Sequence, residues 1–276
     1  MIISSDTYGK FQKILHEKTG ILLGDNKQYL VSSRLSGFIK EKNIDTFERL
    51  LDEVSRPNGM TILQQVIDRM TTNETLWFRD SFPFKFLISH ILPELKSNGK
   101  NNINIWSAAC SSGQEAYSII MSIEEHLRTS MRQPIPDSIE ILGTDISTRM
   151  LAQARQGEYQ SLEIARGLSE EMKSRYFETE DGRTFKINPE LKKRVRFTSL
   201  NLMQLPYRSV GKFDIIYCRN VLIYFSGELK ENVINGLADC MHPGGYLFLG
   251  ASESMPSSIK RFKMIRCNPG LAYQLI

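Results

Sequence analysis

A chain of 276 residues, 41% of them apolar, can bury one good core and a second, smaller one, which bounds the protein to one or two domains. The opening residues, MIISSDTYGKF, have no basic stretch leading into an apolar one, and no segment approaches the roughly 20 apolar residues of a membrane span, so a soluble, cytoplasmic protein is expected. The four cysteines (Cys110, Cys218, Cys240, Cys267) stand far apart without a C-x-x-C pair or clustered His, which argues against a zinc site or a disulfide framework, and a net charge of +4 is too small by itself to argue for nucleic acid.

Residues 6 to 70 read as helices only. YGKFQKILHEKTG ends at a glycine cap, KQYLVSSRLSGFIKEK repeats apolar positions at helical spacing, and DTFERLLDEV is expected to start on an N-cap Asp. The second of these segments is basic, with Lys27, Arg34, Lys40 and Lys42 against Glu41 alone. SFPFKFLISHILPELKSNG then reads as a connecting helix that closes at Asn98-Gly99, and from there strand and helix patterns alternate. The strand candidates are INIWSA, IEILGTDI, RVRFTSL, FDIIYC, GYLFLG, FKMIRC and LAYQLI. Such alternation implies an α/β fold with a parallel sheet covered on both faces. The last two strands have only the turn NPG between them, so a hairpin should place one antiparallel strand in the sheet. Residues 158–197 interrupt the series and read as a small insertion carrying a short hairpin; they hold a second basic run, residues 183–196, for which a solvated face is the ordinary reading. The expected division is a helical domain over 1–75 and an α/β domain over 76–276.

The turn after the first strand, AACSSG, is small enough for a ligand to approach its backbone, yet it has one glycine and no Lys. It lacks the glycines of a pyrophosphate site and the features of a phosphate-binding loop. A phosphate-free nucleoside cofactor, S-adenosylmethionine, suits it. Asp145, at the end of the second strand, is placed either to accept from both ribose hydroxyls or to cap the following helix. Glu115, at the start of the first crossing helix, can offset the helix dipole or accept from the ammonium of the methionine moiety.

Two further segments, TTNETLWFRD at 71–80 and FDIIYCRNVLIYF at 213–225, complete a set with WSAACSSGQEAYSI, GTDIS, NLMQLPY and HPGGYLFLGASES. With these motifs in this order the chain resembles the CheR family of chemoreceptor glutamate methyltransferases, over its whole length. The resemblance implies a Rossmann-like S-adenosylmethionine-dependent methyltransferase fold, mostly parallel with one antiparallel strand, with a small N-terminal all-helical domain and a small β insertion. It implies methyl transfer from S-adenosylmethionine to glutamate carboxylates on the cytoplasmic methylation helices of chemoreceptors. By similarity, cofactor contacts fall on Asn73, Thr75, Arg79, Glu115, Asp145, Asn201, Leu202, Arg219 and Asn220, with Arg79 and Tyr224 nearest the transferred methyl. Arg79 has two candidate roles, orienting the incoming carboxylate with Tyr224 or holding the cofactor carboxylate. The basic segment suggests Arg34, Lys40 and Lys42 as docking residues for an acidic receptor helix. Family members that bind a receptor C-terminal peptide carry a longer glycine-containing loop in the insertion; here ETEDGRTFKINPEL is short, with only Gly182, which implies a member independent of that peptide. The competing readings are a nucleic-acid methyltransferase and a non-catalytic cofactor- or receptor-binding regulator; against the former, CRNVLIYF lacks the Asn/Asp-Pro-Pro-aromatic motif of base amino methylation.

Overall fold

The structure, a computed structural model, describes residues 2–129 and 134–276. Helices α1 (Ser5–Thr19), α2 (Gln28–Glu41), α3 (Phe47–Ser55) and α4 (Met60–Met70) form the N-terminal unit. Their apolar stripes meet in a core that includes Tyr8, Phe11, Leu15, Leu35, Phe38, Leu50 and Val66. The α1 boundaries follow the expected chemistry: the Ser4 hydroxyl accepts from Thr7 N–H, and Gly20, at φ 75°, ends the helix in the left-handed region. The start of α3 differs from expectation. Thr46, in extended conformation, accepts from Arg49 N–H and is the N-cap; Asp45 lies one position too early to reach that donor.

A linker over 71–81 leads into α5 (Phe82–Phe86), a π-helical turn (Leu87–Ile91) and α6 (Leu92–Ser97). The expected single connecting helix is thus widened in its middle. Pro93 explains the position of the widening: it has no N–H to give to the preceding turn, and its ring crowds the carbonyl four residues back.

The α/β unit follows as β1 (Asn102–Ala108), α7 (Gln114–Thr129), β2 (Ser138–Asp145), α8 (Thr148–Gln156), β3 (Glu158–Gln160), α9 (Ser161–Ile164), α10 (Glu170–Tyr176), β4 (Phe177–Glu178), β5 (Thr184–Ile187), α11 (Pro189–Lys193), β6 (Val195–Ser199), β7 (Phe213–Cys218), α12 (Gly227–Asp239), β8 (Met241–Leu249), β9 (Phe262–Cys267) and β10 (Gly270–Leu275). Between α7 and β2, residues 130–133 lie outside the described residues.

Seven strands form one sheet in the order β6-β2-β1-β7-β8-β10-β9. All neighbours from β6 to β8 are parallel, and β10 runs antiparallel to both β8 and β9, as the NPG turn implies. Strand β1 is fully buried at Ile105, Trp106 and Ala108, and one face of the sheet packs on α5, α6 and α7 while the other packs on α12. The insertion holds a three-stranded antiparallel sheet, β3-β5-β4, rather than the hairpin alone. Strand β3 pairs with the free edge of β5 but spans three residues, too few to show an alternating pattern. The chain is back in the main sheet at Val195, so residues 195–197 of the span read as insertion belong to β6.

Polar contacts fasten the helical unit to the sheet. Gln64 Nε2 donates to the Ile146 carbonyl at 2.9 Å, and Thr148 Oγ1 donates to the Asp68 carboxylate at 2.9 Å, so α4 grips the loop after β2. Among the described residues no helix is long and apolar enough to cross a membrane.

Candidate active site

Chain order reverses direction in the sheet between β1 and β7, and the register sets Ala108 opposite both Thr144 and Cys218. The carboxyl ends of β1, β2 and β7 therefore open side by side, where open α/β sheets bind ligands. A cleft of about 280 Å³ lies there, lined also by Thr19 and residues 21–24 of the helical unit.

Three residues of the turn after β1 adopt positive φ: Ala109 (65°), Ser111 (51°) and Gly113 (94°). For the two non-glycines this costs on the order of 1–3 kcal/mol each, and the surrounding bonds hold them there. Cys110 N–H donates to the Thr144 carbonyl (2.9 Å), Ser111 N–H to Asp145 Oδ2 (2.8 Å) and Ser111 Oγ to the Asn73 carbonyl (3.1 Å). The glycine-poor turn is thus tied to β2 and to the linker, and the N–H groups of Cys110, Ser111 and Gly113 are committed to protein acceptors.

Asp145 is buried, and its two oxygens accept from Ser111 and Ser147 N–H, each at 2.8 Å. Burial pushes its carboxyl above the ordinary aspartate value, against the lowering effect of those two N–H groups. The cap of α8 is Ser147, which accepts from Met150 N–H, so the helix does not use Asp145. Its remaining lone pairs are available to hydroxyl donors.

Glu115 is not a free acceptor. Its Oε1 accepts from Ser107 Oγ (2.7 Å), and its Oε2 accepts from Arg219 Nη1 (2.8 Å). Arg219, with a side chain 1% exposed, also donates through Nη2 to Asp80 Oδ2 (2.5 Å) and to the Arg79 carbonyl (2.9 Å). The guanidinium is clasped by two carboxylates, while its buried Nε has no acceptor. The clasp helps hold the linker where Phe78, Asp80 and Ser81 all take positive φ (50°, 65°, 46°). Asp80 and Ser107 escaped sequence reasoning. Asp80 carried a signal, standing next to Arg79 in WFRD, but nothing in the chain pairs it with a residue 139 positions away.

The other expected residues divide. Asn73, Thr75, Leu202, Asn220 and Tyr224 line the cleft. Asn201 lines it too, but its amide is turned aside, donating to the Lys18 carbonyl (2.7 Å) and accepting from Met203 N–H (3.0 Å). Arg79 lines the cleft with no carboxylate partner among the described residues; it donates to the Glu74 carbonyl at 3.2 Å. Arg34 reaches the cleft from α2, but its guanidinium donates to the Met70 carbonyl (2.6 Å) and to Thr72 Oγ1 (3.2 Å), so it fastens the linker instead of standing free for docking. Lys40 and Lys42 do not line the cleft; they are exposed near the end of α2, with Lys42 over the Phe38 ring. The loop 19–24 was not expected at the site at all. It arrives because Leu22 N–H donates to the Tyr224 carbonyl at 3.0 Å, a contact between segments no local pattern links.

Comparison with known proteins accords with this layout. Residues 73–271 match the family model described as the CheR methyltransferase SAM binding domain, and residues 6–71 match the CheR methyltransferase all-alpha domain. The chain belongs to the CheR methyltransferase family. It is 45% identical over 269 residues to chemotaxis protein methyltransferase Cher2 of Pseudomonas putida, with 97% of each chain covered. To the chemotaxis protein methyltransferase of Vibrio parahaemolyticus it is 47% identical over 274 residues, covering 99% of this chain and 98% of that one.

This CheR methyltransferase binds S-adenosylmethionine through its α/β unit. The cleft fits that cofactor: it offers a buried carboxylate with free lone pairs, a turn with no phosphate grip, an arginine (Arg79) with no carboxylate partner among the described residues and an Arg219 Nε lacking an acceptor. Bound there, the cofactor supplies an electrophilic methyl group on a sulfonium centre.

Proposed function

We propose that this CheR methyltransferase esterifies glutamate side chains on the cytoplasmic methylation helices of chemoreceptors. The observation that carries the reading is Arg79, a cleft-lining cation without a carboxylate partner, facing the same space as Tyr224. A glutamate is ionised at neutral pH and needs no general base to attack a methyl group. Positioning is then the main requirement, and alignment of two held reactants can supply roughly 7–11 kcal/mol in favourable cases.

Charge must be balanced with care. A guanidinium about 4 Å from a carboxylate contributes on the order of 4 kcal/mol at an effective dielectric of ~20. Strong pairing of that kind would stabilise the nucleophile more than the transition state, in which its charge is being neutralised. Arg79 and the Tyr224 hydroxyl therefore orient the carboxylate, and Arg219 is kept from it by Glu115 and Asp80. For Asp145, Asn73, Thr75, Leu202 and Asn220 we propose cofactor contacts, with Asp145 accepting from the ribose hydroxyls. Glu115 retains lone pairs for an ammonium despite its pairing with Arg219. Asn201 acts through its backbone, since its amide is engaged elsewhere. An acidic receptor helix approaches over the exposed ends of Lys40 and Lys42. The tight turn between β4 and β5, where Asp181 accepts from Arg183 and Thr184 N–H, supports a member that does not depend on a receptor C-terminal peptide.

The test is incubation of the purified protein with methyl-labelled cofactor and receptor-containing membranes. Label that enters receptor protein and is released as methanol by alkali supports the proposal. Alkali-stable label, or label in nucleic acid, refutes it.

A further inference from the structure

Glu253 lies in the turn after β8 and takes no part in the chemistry described so far. Its carboxylate gathers three backbone N–H groups from two loops. Oε2 accepts from Asn220 (2.8 Å) and from Gly250 (2.7 Å), and Oε1 accepts from Ile223 (3.2 Å). Glu253 does not line the cleft, but Asn220, Val221 and Tyr224 do.

The segment it holds begins in an unfavourable backbone conformation. Asn220 sits at φ 61°, a conformation disfavoured for a residue with a side chain. Tyr224 ends the single 3-10 turn Leu222–Tyr224, and Ile223, the middle residue of that turn, is one of the three donors. The two loops are also pressed together at Gly250, where a Cβ would lie 2.7 Å from both Asn220 Nδ2 and Glu253 Oε2.

We propose that Glu253 is a positioning residue for methyl transfer: by accepting from the N–H groups of Asn220 and Ile223 it fixes Asn220 and Tyr224 at the cleft wall without touching either reactant. The turnover part of this inference rests on the glutamate-methylation reading, whereas the binding part does not.

The decisive variant is Glu253→Gln, which keeps the volume but leaves one acceptor oxygen and turns an NH2 group toward a backbone donor. Expected is a fall of roughly tenfold or more in kcat, in S-adenosylhomocysteine affinity, or in both, the equivalent of one lost hydrogen bond to a charged group. The receptor KM should stay unchanged and the circular-dichroism melt should show a folded protein at assay temperature. Gly250→Ala, which displaces the carboxylate without removing its charge, should do the same and serves if the first variant fails to fold. A kcat and an affinity both within twofold of wild type, or losses that merely track the unfolded fraction, would overturn the proposal. If the wild-type protein methylates no receptor glutamate, the functional reading falls, and weakened S-adenosylhomocysteine binding by Glu253→Gln still upholds the positioning role. Unchanged binding in that case refutes it.

Discussion

Replacing Asp145 with Asn probes both the cofactor grip and its pH dependence. The carboxylate accepts two backbone N–H bonds at 2.8 Å, and an amide can accept only one of them while its NH2 group opposes the other. A hydrogen bond to a charged group contributes about 1.5–3 kcal/mol, and the ribose hydroxyls lose their ionised acceptor as well, so a binding loss of about 2–3 kcal/mol is expected, a drop in affinity of roughly 30- to 150-fold. Burial raises the Asp145 pKa in the folded protein. The stability this gives is present below the unfolded-state pKa and disappears as pH rises through the folded value. The proposed ribose contact has the opposite requirement, because hydroxyl donors bond more strongly to the ionised form. Wild-type affinity for S-adenosylhomocysteine should therefore weaken as pH falls through the raised pKa, and the Asn variant should lack that phase. Isothermal titration calorimetry from neutral pH down through the acid range reads both. Affinity within threefold of wild type, or an identical acid loss in the variant, would refute the reasoning.

Arg219→Met should leave Glu115 and Asp80 as uncompensated partners of a buried site and cost about 3–5 kcal/mol of stability, read by denaturant melts, with cofactor binding weakened in parallel. Arg79→Lys separates the two roles of that residue: near-normal S-adenosylhomocysteine affinity with depressed turnover is expected, and lost affinity would reassign Arg79 to the cofactor carboxylate. Reversing Lys40 and Lys42 to Glu should slow receptor methylation at low ionic strength and have less effect at high salt, since both are exposed; unchanged initial rates at low salt would remove them from the docking face.

The seven main strands were legible because each is an apolar or alternating run closed by a turn or a crossing, and the β9–β10 hairpin because only NPG separates its strands. The single left-handed glycines at 20 and 113 likewise marked real turns. What stayed hidden arises from contacts across the chain. Thr46 displaces Asp45 as a cap through one residue of register, and β3 exists because β5 has an edge to offer. At the site, sequence motifs named the residues lining the cleft but not their partners. The Arg219 clasp, the Arg34 grip on the linker and the turned-away amide of Asn201 each join segments that only the folded chain brings together.

With the bond from Leu22 N–H to the Tyr224 carbonyl, the small helical unit forms one wall of the cleft. A truncated chain beginning at Asn73 would retain Asp145 and the whole sheet yet face solvent where residues 19–24 now stand. The carboxylate proposed to grip the nucleoside would survive while the enclosure fails, so severing the leading helices amounts to removing part of the cleft rather than an accessory.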